Sequence, residues 1–181
     1  MLRRRCDYGT SEADLYQLHP EKRKALQLRP LAAAAFMGLC LSVILRNYLP
    51  LLVPAACLLF DAAEKIFKLH TAGVRMAAWR VFYSVMRVYL SSSYFLAFHW
   101  IRYYFILSIL LGFAVHSLWY LGFLLLIFSA LVDYSVKRPR LIFPFFLFYY
   151  ALDHISYQLG VMVGCIRKRS LRPYTVRFMS R

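Results

Sequence analysis

FILSILLGFAVHSLWYLGFLLLIFSALV, residues 105 to 132, runs for 28 positions without a charged side chain. A helix rises about 1.5 Å per residue, so one straight helix of that length exceeds the roughly 30 Å hydrocarbon core of a bilayer. Two arrangements fit: a single tilted span, or two shorter arms that meet where His116 and Ser117 interrupt the apolar run. His116 in such a run reads as a helix-turn or helix–helix contact in preference to a proton relay.

The neighbouring apolar block favours the second arrangement. Residues 31 to 60 are apolar except at their centre, where Arg46-Asn47 divides Leu31–Leu45 from Tyr48–Phe60. Each arm reaches only about 20 Å as a helix. A continuous helix would place Arg46 near the bilayer centre at a cost of at least about 2.5 kcal/mol. Pro50 and Pro54 favour a break at that point. Both blocks are therefore expected to be short hairpins.

Outside these blocks the chain is basic. Lys and Arg number seven in residues 1–30, six in 61–104, three in 133–140 and six in 166–181, with only Arg46 elsewhere. Residues 61–104 return a charge every few positions, with Trp79, Phe82, Val85 and Val88 between them at helical spacing. That is the pattern of a basic amphipathic helix in a headgroup layer. Ser91-Ser92-Ser93 is expected to break it into two helices. Residues 133–140 read as a basic linker, and the last helix is expected from about Phe145 to Cys165. In the leader, Ser11 is expected to cap a short helix that Pro20 ends. If both blocks are hairpins, every basic segment faces the cytoplasm, as the positive-inside rule prefers.

The predicted fold is therefore all-α. It is an integral membrane protein with two short helical hairpins and amphipathic interfacial helices. Its parts are the basic leader 1–30, the hairpin 31–60, the interfacial helices 61–104, the hairpin or long span 105–132, and the interfacial helix and basic tail 133–181. Composition agrees: the 181 residues are 61% hydrophobic and 18% aromatic, with a net charge of +15. A basic excess beside apolar blocks points to an anionic lipid leaflet. No zinc finger or aromatic RNA-recognition pattern is present, so nucleic acid is not the expected partner. Cys6, Cys40, Cys57 and Cys165 are far apart and read as free thiols.

Little in the chain carries chemistry. The eight acids form one acid-x-acid triplet, Glu12-Ala13-Asp14, where a helix is expected to begin. No strand–glycine loop–helix unit is present to hold a nucleotide. No catalytic residue and no metal ligand is assigned. The conspicuous segments lie at the two ends. One is Tyr8-Gly9-Thr10-Ser11-Glu12-Ala13 with His19-Pro20 after it. The other is Asp153-His154-Ile155-Ser156-Tyr157-Gln158-Leu159-Gly160-Val161-Met162-Val163-Gly164-Cys165, followed by Arg167, Arg169 and Leu171-Arg172-Pro173.

That order resembles the membrane-associated C-terminal part of a family-2 glycosyltransferase, most closely the mycofactocin-system type. The resemblance covers nearly the whole chain but only the second half of such an enzyme. It implies a membrane platform that tethers a separate catalytic domain and presents a lipid-linked or membrane-proximal acceptor. The divalent metal and nucleotide-sugar would belong to that other domain, so the isolated chain is expected to transfer no sugar. The alternative is a non-enzymatic membrane assembly or scaffold subunit. On the resemblance, Tyr8, Gly9, Thr10 and Ser11 are candidate substrate-binding residues. Read without it, they are a helix cap and a turn. His19 before its proline reads as a structural turn. Asp153, His154, Tyr157, Gly160 and Gly164 are read as packing residues, with Asp153 paired to an interfacial Arg and the two glycines admitting another helix. The family pattern has an acidic pair where this chain has Asp153-His154, and Tyr-Gly where it has Tyr157-Gln158. Val161 is placed off the packing face.

Overall fold

The computed structural model describes residues 2–19, 25–27, 29–175 and 177–179. The chain is helical: α1 (Leu2–Leu18), α2 (Pro30–Leu45), α3 (Leu52–Thr71), α4 (Ala78–Gly112), α5 (Ser117–Lys137) and α6 (Phe143–Lys168). Single 3-10 turns stand at Leu49–Leu51 and Arg172–Tyr174. Two three-residue strands, β1 (Ala25–Gln27) and β2 (Arg177–Met179), pair in parallel with Ala25 opposite Arg177. The helices α4 and α5 are long and apolar enough to cross a membrane.

The chain divides into two compact units. The first comprises Met1–Gln27 and Ala97–Met179, and the second Leu28–Leu96. Within the second unit α2 and α3 pack as a hairpin. The break falls at Arg46-Asn47, where Arg46 takes a left-handed conformation (φ 50°) and closes α2. Asn47 Oδ1 then accepts from the Leu49 amide, 3.0 Å away, and starts the next turn. The core of this unit is small: Ala32, Ala35 and Ala62 with Val85 and Tyr89 from α4. Asp61 is buried there, with Arg29 and Lys65 each 3.6 Å from its carboxylate oxygens.

In the first unit α4 turns at 113–116 and returns as α5. Phe105 meets Phe123 edge-on, and Trp119 Nε1 donates to the Ile109 carbonyl at 2.8 Å. Helix α6 runs antiparallel to α5: Tyr134 contacts Phe143 and Phe146, and the Tyr150 hydroxyl donates to Ser129 Oγ at 3.2 Å. Helix α1 lies parallel to α6, since Arg5 pairs with Asp153 at 2.6 Å and Asp14 with Lys168 at 2.7 Å.

Several sequence expectations need correction. Ser11 caps nothing: α1 starts at Leu2, and Ser11 Oγ donates back to the Tyr8 carbonyl inside the helix. The turn expected at Tyr8-Gly9-Thr10-Ser11 is also absent, because close packing against α6 holds α1 helical through Gly9. Pro20 itself lies outside the described residues. No break occurs at Ser91–Ser93, because α4 continues through them; serine is only mildly unfavourable in a helix and neighbouring apolar contacts decide. The boundaries expected at 60/61, 104/105 and 132/133 all fall inside helices, where amphipathic segments continue apolar ones without a turn. Helix α5 reaches Lys137, which pairs with Asp133 four residues before it at 2.9 Å. Finally, the second hairpin has arms of 35 and 21 residues and is not short.

Candidate functional site

The site is built on one stripe of α1. Gly9, Glu12, Ala13 and Tyr16 recur at the i, i+3, i+4, i+7 spacing of a single helix face, and all four are buried. The stripe faces α6, and its small residues let the two backbones touch. A Cβ on Gly9 would lie 2.2 Å from the Tyr157 carbonyl oxygen, and one on Gly160 would lie 2.1 Å from the Cys6 carbonyl oxygen. On Gly164 it would lie 2.5 Å from the Thr10 carbonyl oxygen. Three glycines from the two end segments thus interlock without room for a side chain.

This close approach carries Glu12 into the interior. Its carboxylate accepts from the Tyr103 hydroxyl at 3.0 and 3.1 Å and from the Tyr157 hydroxyl. Tyr16 donates to it as well. The Arg102 guanidinium lies 3.7 Å from the centre of the Tyr157 ring, a cation–π contact that closes the group. Burial, with the Glu12 carboxylate beside it, pushes the Tyr157 hydroxyl up to about 12. Tyr16 is pushed up for the same reasons. Both phenols therefore stay protonated and act as donors at neutral pH.

A cleft of about 870 Å³ opens beside this group. Its wall includes Arg5, Tyr8, Ser11 and Glu12 from α1, Phe98, His99, Arg102 and Tyr103 from α4, Tyr157 from α6, and His19. The Arg5 and Arg102 cations and the Tyr8 hydroxyl suit an anionic or polyhydroxyl group. The acid present is already wrapped in donors, so the site favours recognition over proton abstraction. Among the described residues no three His, Cys, Asp or Glu side chains converge on a point that would hold a metal ion.

The structure sorts the candidates read from the sequence. Tyr8 and Ser11 line the cleft, while Thr10 Oγ1 donates to the Cys6 carbonyl at 3.0 Å and Gly9 is a packing position. Asp153 sits at the end of α1, paired with Arg5. His154 points elsewhere: it stacks against Tyr150 (4.4 Å between ring centres) and Phe98 (5.2 Å). Burial, and then the nearby Arg102 charge, lower its pKa to about 4, so it is neutral at pH 7. Gln158 is 1% exposed. Its amide donates to the Tyr103 carbonyl at 2.7 Å and accepts from the Ile106 amide at 3.1 Å, tying α6 to α4. Val161, expected off the packing face, is fully buried with Tyr103, Tyr157 and Cys165.

Sequence reading missed Tyr16, His99, Arg102 and Tyr103, and treated Glu12 only as half of an acid triplet. The available signal was the Gly9–Tyr16 stripe, which puts Glu12 among small and aromatic residues on an inward face. No protein family, curated protein or solved structure matches the chain.

Proposed function

We propose that the chain is a membrane-bound helical platform that serves a family-2-like glycosyltransferase. It holds a separate catalytic domain at the cytoplasmic face of the cell membrane. It receives a lipid-linked or membrane-proximal acceptor in the cleft beside Glu12. The metal and the nucleotide-sugar belong to the catalytic partner. One observation carries this reading: the two end segments that resemble the family lie about 145 residues apart in sequence, yet pack backbone to backbone and together wall the cleft. The two apolar helices supply the membrane association.

The test is sugar transfer in membranes. Membranes of the native host should move labelled sugar from a nucleotide donor into lipid extract only when this chain is present. Arg102→Ala should reduce that transfer at least tenfold while the chain still accumulates. Unchanged incorporation in membranes lacking the chain would contradict the proposal.

The rival is a scaffold subunit without an acceptor site. It is favoured by one feature, the closed donor set around Glu12, which is also what a purely structural network looks like. In that case Arg102→Ala leaves sugar transfer intact, and only variants at the glycine interlock affect assembly.

A further inference from the structure

We infer that the first unit lies along the membrane within one leaflet, with α1 in an anionic headgroup layer, and does not cross the bilayer. This rests on the membrane association proposed above and specifies its geometry. Between residues 103 and 136 the only charged side chain is Asp133, and between 141 and 166 it is Asp153. The helix faces turned away from the packing are apolar: Phe123, Leu131, Phe148 and Ile166 are 53%, 45%, 59% and 74% exposed. The basic residues collect at the ends. Lys137 ends α5, with Arg138 and Arg140 just beyond it, while Arg167, Lys168 and Arg169 close α6.

Because α6 is antiparallel to α5, those two clusters lie at opposite ends of the bundle, the second with the 113–116 turn. A crossing α5, about 31 Å long, would therefore put one basic cluster on each side of the membrane. It would also immerse α1. Arg5 meets Asp153, which stands about 15 Å into an α6 of about 39 Å. The exposed Arg3, Arg4 and Asp7 would then sit partway through the hydrocarbon. Each such charge costs about 2.5–3.5 kcal/mol at the bilayer centre. Turning the bundle into the membrane plane removes the conflict. The apolar faces enter the acyl chains, and both clusters and α1 reach the same headgroup layer. Basic residues around an apolar face complement an anionic leaflet.

The test uses the intact chain folded into preformed, sealed vesicles of phosphatidylcholine and phosphatidylglycerol at 3:1, recovered by flotation and then treated with external trypsin. One-leaflet binding predicts that cuts at Lys137–Arg140 and at Arg167–Arg169 both appear without opening the vesicles. Protection of either cluster until detergent is added overturns the inference. Failure to float with the vesicles overturns the underlying membrane reading as well. Ser135→Cys and Ser170→Cys, probed with an impermeant maleimide, give an independent readout. Both positions should react from outside, and reaction of only one contradicts the one-leaflet geometry.

Discussion

The α1–α6 pair and the α2–α3 hairpin both bring helices together at glycine, but with different degrees of tolerance. At Gly160 and Gly9 the opposing atoms are backbone, which cannot swing aside. At Gly38 the nearest atom to an added Cβ is Pro54 Cδ at 2.8 Å, with the Pro50 carbonyl oxygen at 3.0 Å. The buried acids differ in the same way. Glu12 is held by neutral hydroxyls at hydrogen-bond distance, whereas Asp61 is held by two cations at 3.6 Å, a Coulombic contact longer than a hydrogen bond. The first unit is specified by contacts that admit one geometry. The second is a looser alanine-lined hairpin. The difference locates the functional candidate where the structure is least adjustable.

The largest effect should come from forcing a side chain into the interlock. Gly160→Leu should abolish folded yield in detergent, and Gly160→Ala should cost about 3 kcal/mol or more, because overpacking against backbone has no cheap relief. Gly38→Ala in the looser hairpin should cost about 1 kcal/mol. Thermal unfolding of the two alanine variants side by side checks the contrast. Equal losses would erase the distinction between the units.

Next comes the acid. Glu12→Ala removes the acceptor shared by Tyr103 and Tyr157 and should destabilise by about 3 kcal/mol, since buried donors left without partners cost about 1–3 kcal/mol each. Tyr157→Phe should cost about 1 kcal/mol. Chemical denaturation would order them. A neutral Glu12→Ala would mean that its hydroxyl shell is not a stabilising network.

How far the sequence was readable follows from these same residues. The breaks at Arg46-Asn47 and near His116-Ser117 were legible because a charge or a polar pair interrupting an apolar run has few places to go. The pairing of Asp153 with an arginine could be expected in kind, since a carboxylate among aromatics requires a cation, but Arg5 as its partner could not. Glu12 was opaque because its donors Tyr103 and Tyr157 lie 91 and 145 residues away. The cap and turn read at Tyr8–Ser11 misled because local capping and glycine preferences are worth only about 1 kcal/mol, less than a close helix contact returns. Val161 misled because α6 is contacted on a wider arc than its glycine face alone.

A comparable effect should appear with acid. His154 has a folded pKa of about 4, below the ordinary 6.5, so the unfolded chain binds its proton first as pH falls. Stability should therefore be full above pH 6.5 and decline between pH 6.5 and 4, by about 3 kcal/mol in total. His154→Gln should flatten that part of the unfolding profile. A slope unchanged by the substitution would assign the acid sensitivity elsewhere.

The smallest effect concerns three arginines in left-handed conformations, Arg46, Arg138 and Arg169, each closing a helix. Glycine adopts that conformation without strain, but the cation at a helix C-terminus would be lost. The two terms nearly cancel, so each Arg→Gly change should move the unfolding midpoint by less than about 1 kcal/mol equivalent. A loss of several degrees at Arg46 alone would show that its side chain has a further role in the hairpin.

Zero-length carbodiimide coupling shows whether the two ends of the chain form one unit. Asp14 and Lys168 lie 2.7 Å apart, and both remain partly exposed. Coupling the intact protein and mapping its peptides should yield an amide between Asp14 and Lys168, alongside the local Glu64–Lys68 product from α3. Recovery of the Glu64–Lys68 product without any Asp14–Lys168 product would contradict the interlock of α1 with α6.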